Sequence, residues 1–452
     1  MINFSVSGEW QLSVLLCSVG TSIDPILKAI DKNKPVKCYL VYGRWKGELR
    51  PGTKTPEEIA TEVQVRYPEI VEKREIADPD DVEVCIRVFT EVFLEILGKF
   101  PDAKIIIDFT GGTKAMSSAL FYASNIVPIR NRVYEYITGE RGENGRVIPG
   151  TEKPISRRYI DYQLLRDAII LFNNREFLWA AKLFNEVTSN LEMKEPFLLK
   201  LLENISLWLG HWDNFNYDEA KNYAERIKRD IHKVLSVISI RSLRKLEDEF
   251  SSLRALFVSS YNCVKFLRDM IEKKNLPEIQ KEFGEALIID LLQKIDIRLE
   301  RNQYDVAVIL AYRVLETAVQ LELIKHGVSP WKTNWETIDE EVRNEFLARA
   351  GLSNPPENIT LRSGLALLAI IDKEFSEKLK SVEKELNHII YQRNYSPIAH
   401  GWINIKKDNA EKARKFAIRF IKETLNINYT PERYKIPKLK ITDIIRALIP
   451  ED

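Results

Sequence analysis

Histidine and cysteine are scarce in this chain, five and four residues among 452. Cys17, Cys38, Cys85 and Cys263 stand far apart, with no C-x-x-C pair. That spacing excludes a zinc ribbon or a dithiol redox motif and predicts small buried hydrophobes in a reducing compartment. Glycine and proline are also few, 18 and 19, against an apolar fraction of 45%, which excludes fibrous and low-complexity chains. The longest apolar runs, such as LSVLLC and ALLAII, fall far short of the ~20 residues a bilayer-spanning helix requires. No basic segment followed by an apolar core opens the chain, so a cytoplasmic protein without a membrane partner is expected. An excess of one charge is missing too: 67 basic side chains balance 66 acidic ones, for a net charge of +1. Whole-surface attraction to nucleic acid is thereby excluded, although a local basic patch is not.

What is present divides into three regions, as a chain of this length allows. Residues 1–156 alternate strand-like and helix-like segments. LSVLLCSV, VKCYLVYG, IVEKREI, AKIIIDF and NRVYEYITGE read as buried strands. DPILKAIDKN, TPEEIATEVQVRY and the segment from Pro79 to Phe100 read as helices that open on Asp or Thr beside Pro. The pattern predicts a Rossmann-like α/β domain with a parallel sheet. Residues 157–278 carry apolar residues at spacings of three and four and predict a helical connector. Residues 279–452 predict a second all-α domain. Its segment YDVAVILAYRVLETAVQLELIKHG aligns Ala307, Leu310, Ala311, Val314, Ala318 and Leu321 on one stripe, with Gly327 as its stop. Arg313, Glu316 and Gln320 share a more polar face of that helix and read as a solvated pair.

Two glycine turns follow strands of the first domain. SVGTS holds Gly20, Thr21 and Ser22, and DFTGGTKAM holds Thr110, Gly111, Gly112, Thr113 and Lys114. Strand C-terminal ends that meet helix N-termini gather backbone N–H groups into an anion site. In a doubly wound sheet these two strands are neighbours, so the turns frame one crevice. Neither turn satisfies the P-loop or dinucleotide fingerprint, and no paired acidic residues flank them as a Mg²⁺ site. A phosphate-bearing ligand of open identity is expected.

Near the C-terminus stands RNYSPIAH, residues 393 to 400. Ser396-Pro397 predicts either an N-cap followed by proline at the first helical position or a kink. Either places Arg393 at a helix end and His400 in a bend. The pair suits RNA cleavage: an imidazole exchanges protons near neutral pH, and a guanidinium holds and stabilises a phosphate. RNA brings its own 2′-hydroxyl nucleophile.

Together, SVGTS, DFTGGTKAM, YDVAVILAYRVLE and RNYSPIAHG resemble the CARF–HEPN ribonucleases of type III CRISPR systems. The resemblance spans almost the whole chain, in the order sensor (CARF), connector, effector (HEPN). It implies Arg393 and His400 as catalytic residues, with six residues between them in the R-x(4–6)-H pattern, and Asn394 as an orienting residue. It implies that Gly20, Thr21, Ser22 and Thr110 to Lys114 contact a cyclic oligoadenylate, with cyclic tetra-adenylate preferred over hexa-adenylate. A homodimer that cuts single-stranded RNA is expected, with no metal, no cofactor and no stable association with the interference complex. Slow cleavage of the ring by Thr21, Ser22, Thr113 and Lys114 is left open. So is a role for the basic stretches INIKKDNAEKARKF and RYKIPKLKITDIIR in holding RNA. The competing expectation is a non-catalytic nucleotide sensor whose helical part binds RNA or a protein.

Overall fold

The computed structural model describes residues 3–4, 10–47, 53–129, 131–140, 151, 153–157, 162–189, 197–236, 241–273 and 281–448. They form two compact units, Met1–Gln163 with Glu186–Pro196, and Leu164–Asn185 with Phe197–Asp452.

In the first unit a short antiparallel pair, β1 (Asn3–Phe4) and β2 (Trp10–Gln11), precedes the main sheet. That sheet contains β3 (Ser13–Val19), β4 (Lys37–Gly43), β5 (Val71–Ile76), β6 (Lys104–Asp108), β7 (Arg132–Thr138) and β8 (Lys153–Arg157), in the order 5-4-3-6-7-8. Strands β3 to β7 are parallel and match the five expected strands, and in β3, β4 and β6 the apolar residues are buried on both faces. The antiparallel edge strand β8 escaped the sequence because it is short and lacks an apolar run. The helices α1 (Asp24–Asn33), α2 (Pro56–Arg66), α3 (Val82–Lys99) and α4 (Lys114–Ile126) connect the parallel strands. Thr55 caps α2 as expected, and Glu58 completes a capping box with it. The other starts shift. Ile23 precedes α1 without a side-chain cap, and Asp81 rather than Asp78 caps α3. All four cysteines are buried and free.

The second unit contains helices and no strand among its described residues: α5 (Tyr162–Asn173), α6 (Phe177–Ser189), α7 (Phe197–Asp213), α8 (Tyr217–Ser236), α9 (Arg241–Lys273), α10 (Lys281–Glu300), α11 (Tyr304–Lys325), α12 (Glu340–Ala350), α13 (Leu361–Ile371), α14 (Lys373–Tyr395), α15 (Lys407–Leu425) and α16 (Ile441–Leu448). The apolar stripe of α11 is buried along its length against α10, α13, α14 and α15, and Gly327 follows it at φ +77°. A buried polar knot ties α7, α8 and α10 together. Lys294 and Asp290, both 0% exposed, pair at 2.6 Å. Asp290 also accepts from Trp212 Nε1 and, at 2.5 Å, from the Tyr217 hydroxyl. The Lys294 ammonium lies 4.4 Å from the Trp212 ring centroid and 4.9 Å from those of Phe215 and Tyr217. Burial pulls the Lys294 ammonium below its usual range, and Asp290 opposes that pull. In the C-terminal basic stretch Ile436, Leu439, Ile444 and Leu448 are core residues, while Lys435, Lys438 and Lys440 stay exposed. Asn173 exchanges two hydrogen bonds with the Leu439 backbone, at 2.9 and 2.8 Å.

Candidate ligand pocket and active site

In the first unit the two glycine turns meet because β3 and β6 are paired neighbours. The Ser18 hydroxyl donates to the Gly111 carbonyl at 2.7 Å. A Cβ on Gly111 would stand 2.6 Å from Ser18 O and 2.7 Å from Gly20 N, so glycine is what lets the turns interlock. Beside them opens a cavity of about 630 Å³, lined by Gly20, Thr21, Gly112, Thr113, Arg44, Trp45, Lys46, Pro79 and Asp80 among others. Thr113 caps α4 through Met116 N and donates its hydroxyl to the Pro79 carbonyl at 2.5 Å.

Of the expected ligand residues, Gly20, Thr21, Gly112 and Thr113 line this cavity, whereas Ser22, Thr110, Gly111 and Lys114 do not. Thr110 holds the turn to β7, its hydroxyl accepting from Ile137 N at 3.0 Å. Lys114 and Ser22 are exposed. The wall formed by Arg44, Trp45 and Lys46 went unread in the sequence. The available signal was an aromatic between two cations, directly after a strand whose C-terminal end faces the crevice. Arg44 pairs with Glu75 at 2.5 Å and Lys46 with Asp78 at 3.5 Å, and Trp45 is 44% exposed.

Under the second turn lies Asp108, 4% exposed, whose carboxylate accepts from Thr110 N at 2.8 Å. Burial pushes its carboxyl up to about 6, Thr110 pulls it back, and Glu135 on the neighbouring strand raises it further. Glu135 itself takes Lys32 at 2.9 Å and Asn33 at 2.8 Å. A carboxyl that keeps its proton to about pH 6 in the fold, but only to 3.8 when unfolded, stabilises the domain fully below pH 3.8. That contribution fades as pH rises through 6, by roughly 3 kcal/mol in all. Urea denaturation of this domain's signal between pH 4 and 7 is expected to show the decline, and Asp108→Asn to flatten it. An unchanged slope in that variant would count against a buried titrating Asp108.

In the second unit α14 ends at Tyr395 with Ser396 as its C-cap, and no new helix begins at Pro397. The N-cap reading of Ser396 is thereby corrected: residues 397–400 form a turn and α15 starts only at Lys407. The turn closes through Ala399 N and Gly401 N onto Ser396 O, both at 3.1 Å, and Ile403 N onto Tyr395 O at 2.9 Å. A Cβ on Gly401 would stand 2.2 Å from Tyr395 O, so this crossing admits only glycine. Arg393 thus sits in the last turn of a helix and His400 in the bend after it. The Arg393 guanidinium donates to Asn394 Oδ1 at 3.0 Å and lies 5.0 Å from the Tyr312 ring centroid on α11. His400 is exposed, and no hydrogen bond joins it to Arg393. Arg313 pairs with Glu316 at 2.5 Å and reaches Gln320 at 3.4 Å.

Residues 277–424, which contain this turn, match the Csm6 HEPN domain family. Csm6 from Enterococcus italicus, solved bound to cyclic hexa-2′-fluoro-hexa-dAMP, aligns over 94% of this chain and 97% of its own. Its TM-score is 0.52 at 12% identity, a likeness of fold. Residues 277–424 thus form a HEPN domain of the Csm6 type, and the chain as a whole shares the Csm6 fold. Two further solved structures align over about half of it. A type III CRISPR defence DNA nuclease activated by cyclic oligoadenylate has a TM-score of 0.22, 17% identity, and coverage of 48% of this chain and 36% of its own. Can2 from Sulfobacillus thermosulfidooxidans, in complex with cyclic tetra-adenylate, has a TM-score of 0.21, 16% identity, and coverage of 50% and 70%. At those scores neither adds to the fold assignment. No curated protein matches the sequence. No described helix is long and apolar enough to cross a membrane. Among the described residues one group of donors, Glu322, His326 and Asp372, stands close enough to share a metal ion. It includes neither Arg393 nor His400, and Glu322 already pairs with Lys325 at 2.7 Å.

Proposed function

We propose that this protein is a cytoplasmic, cyclic-oligoadenylate-activated endoribonuclease of type III CRISPR defence. The observation that carries the reading is the Arg393–His400 turn inside the HEPN region: a guanidinium held by Asn394 and a ring, with no carboxylate, beside an exposed imidazole. His400 takes the proton of an RNA 2′-hydroxyl as its oxygen attacks the adjacent phosphorus. The P–O5′ bond breaks, leaving a 2′,3′-cyclic phosphate, and the departing 5′-oxygen receives a proton. Arg393 stabilises the charge that develops on the phosphoryl oxygens. No metal enters this route, because RNA supplies the nucleophile.

The activator site is the 630 Å³ cavity beside the glycine turns. Arg44 and Lys46, paired with Glu75 and Asp78, offer the cavity N–H donors, Thr21 and Thr113 hydroxyls, and Trp45 an exposed indole on which an adenine stacks. Cyclic tetra-adenylate is favoured over hexa-adenylate, and hydrolysis of the ring by Thr21 and Thr113 is a secondary activity. The working form is a two-fold homodimer, since a ring with an even number of identical units presents equal halves to two copies. Exposed apolar residues support it: Phe121, Tyr122 and Ile126 on α4, and Tyr395, Ile398, Trp402 and Ile403 around the HEPN turn. Ring binding activates by favouring the cleaving arrangement of the dimer over the resting one.

The test is cleavage of a fluorescent single-stranded RNA in EDTA, with cyclic tri-, tetra- and hexa-adenylate added separately. Cleavage with one ring alone is the expected result. Ring binding with no cleavage would favour a non-catalytic sensor, and loss of cleavage on adding EDTA would reopen a metal route.

A further inference from the structure

The second unit holds a cavity of about 310 Å³ that the proposed mechanism does not use, since none of Arg393, Asn394 and His400 lines it. Four stretches of chain meet there. They are the turn after α5 with Arg175, the C-terminal half of α10 with Gln293, Asp296 and Glu300, α15 with Arg414, and residues 431–436 with Lys435. Arg175 follows α5 in the left-handed region, at φ +66°. Its N–H bonds to Phe172 O and that of Glu176 to Leu171 O, a helix ending whose left-handed position glycine or asparagine usually takes. An arginine is therefore explained there by its side chain and not by its backbone. That side chain is 2% exposed. Its Nε donates to Glu300 at 2.7 Å and its Nη2 to the Ile436 carbonyl at 3.2 Å. The remaining nitrogen, Nη1, is buried with no hydrogen-bond partner among the described residues. Folded proteins avoid leaving a buried donor in that state, and more so a charged one.

The carboxylates of the lining are already taken. Asp296 accepts from Nε and Nη2 of Arg414 and, at 2.8 Å, from the Tyr429 hydroxyl, to which Gln293 Nε2 donates at 2.7 Å. Glu300 is held by Arg175. Lys435 is exposed and has no ion pair among the described residues. Three cations thus face two carboxylates, and one ammonium and one guanidinium N–H are left over. A phosphate group meets both, accepting from the guanidinium and pairing with the ammonium. The volume stands at the lower end of small-molecule sites and leaves no room for a nucleic-acid strand. We propose that this cavity is a second ligand site of the protein, taking a phosphate group, free or carried by a small ester, between Arg175 and Lys435. Nothing in it depends on RNA cleavage. The bound group joins the turn after α5 to the C-terminal segment across α10, so it stabilises the second unit when it binds.

The experiment is isothermal titration of the full-length protein with inorganic phosphate, and separately with AMP, at an ionic strength held constant with chloride. Wild type is expected to bind phosphate with a Kd on the order of 1 mM. Lys435→Gln, which changes an exposed side chain, should weaken that binding about tenfold, the worth of one charge-assisted contact. Lys438→Gln, exposed and outside the cavity, should leave it unchanged. Arg175→Gln should abolish it, and should that variant fail to fold, Lys435→Gln decides alone. Phosphate should also raise the melting temperature of wild type, and do so less for Lys435→Gln at the same concentration. AMP separates the two sources of the group: binding tighter than that of phosphate assigns the site to an ester, and weaker binding to the free ion. A wild type that binds no phosphate would overturn the proposal, as would an unchanged affinity in Lys435→Gln. So would binding that is lost in Arg44→Gln or Arg393→Gln instead, because the phosphate would then sit in the ring cavity or at the cleaving turn.

Discussion

His400→Ala is expected to cut RNA between 10² and 10⁴ times more slowly than wild type, the usual worth of a positioned general acid–base group. Arg393→Ala should lose about 10² to 10³ by removing the charge that stabilises the developing phosphorane. The double variant should be little worse than His400→Ala, since groups that act on one transition state do not contribute additively. Calorimetric titration with the activating ring should give the wild-type affinity for both, because neither residue belongs to the cavity beside the glycine turns. Asn394→Ala should fall between, as it removes the oxygen that holds the Arg393 guanidinium at 3.0 Å. Cleavage by His400→Ala within threefold of wild type would remove the imidazole from the mechanism and return the chain to the sensor reading.

The second large effect concerns stability. Asp290→Ala leaves the Lys294 ammonium, which is 0% exposed, without its carboxylate partner and takes an acceptor from Trp212 and Tyr217. Breaking one side of a buried pair costs roughly 3–5 kcal/mol. In a unit of this size that corresponds to a fall on the order of 10 °C in the melting temperature. Asp290→Leu combined with Lys294→Met should recover most of the loss, because it removes both charges while keeping volume. Differential scanning calorimetry of the three proteins decides the matter. A single variant that melts within 2 °C of wild type would mean the lysine is accommodated uncharged among its three rings.

Much of the first unit was legible in the sequence because parallel strands are buried on both faces and therefore appear as unbroken apolar runs. Strands β3, β4 and β6 are such runs, β5 and β7 carry charged residues among their apolar ones, and β8 had too few apolar residues to show. The glycine turns were legible for a related reason. Few residues other than glycine tolerate the approach of Gly111 to Ser18 and Gly20. Helix starts were less so, since Asp78, Asp80 and Asp81 are equal candidates until tertiary packing selects Asp81.

By itself the sequence determined the strand–helix order, the helical remainder, the pairing of the two glycine turns through neighbouring strands, and the Arg393–His400 spacing. Each depends on local periodicity, on a residue's own conformational limits, or on a rule of sheet topology. Only the tertiary structure decided that Ser396 ends a helix instead of starting one, and that Arg44, Trp45 and Lys46 wall the cavity. It alone placed Tyr312 beside Arg393. Tyr312 lies 81 positions from the arginine it accompanies, and nothing in the order of a chain states which helix faces will be packed against each other.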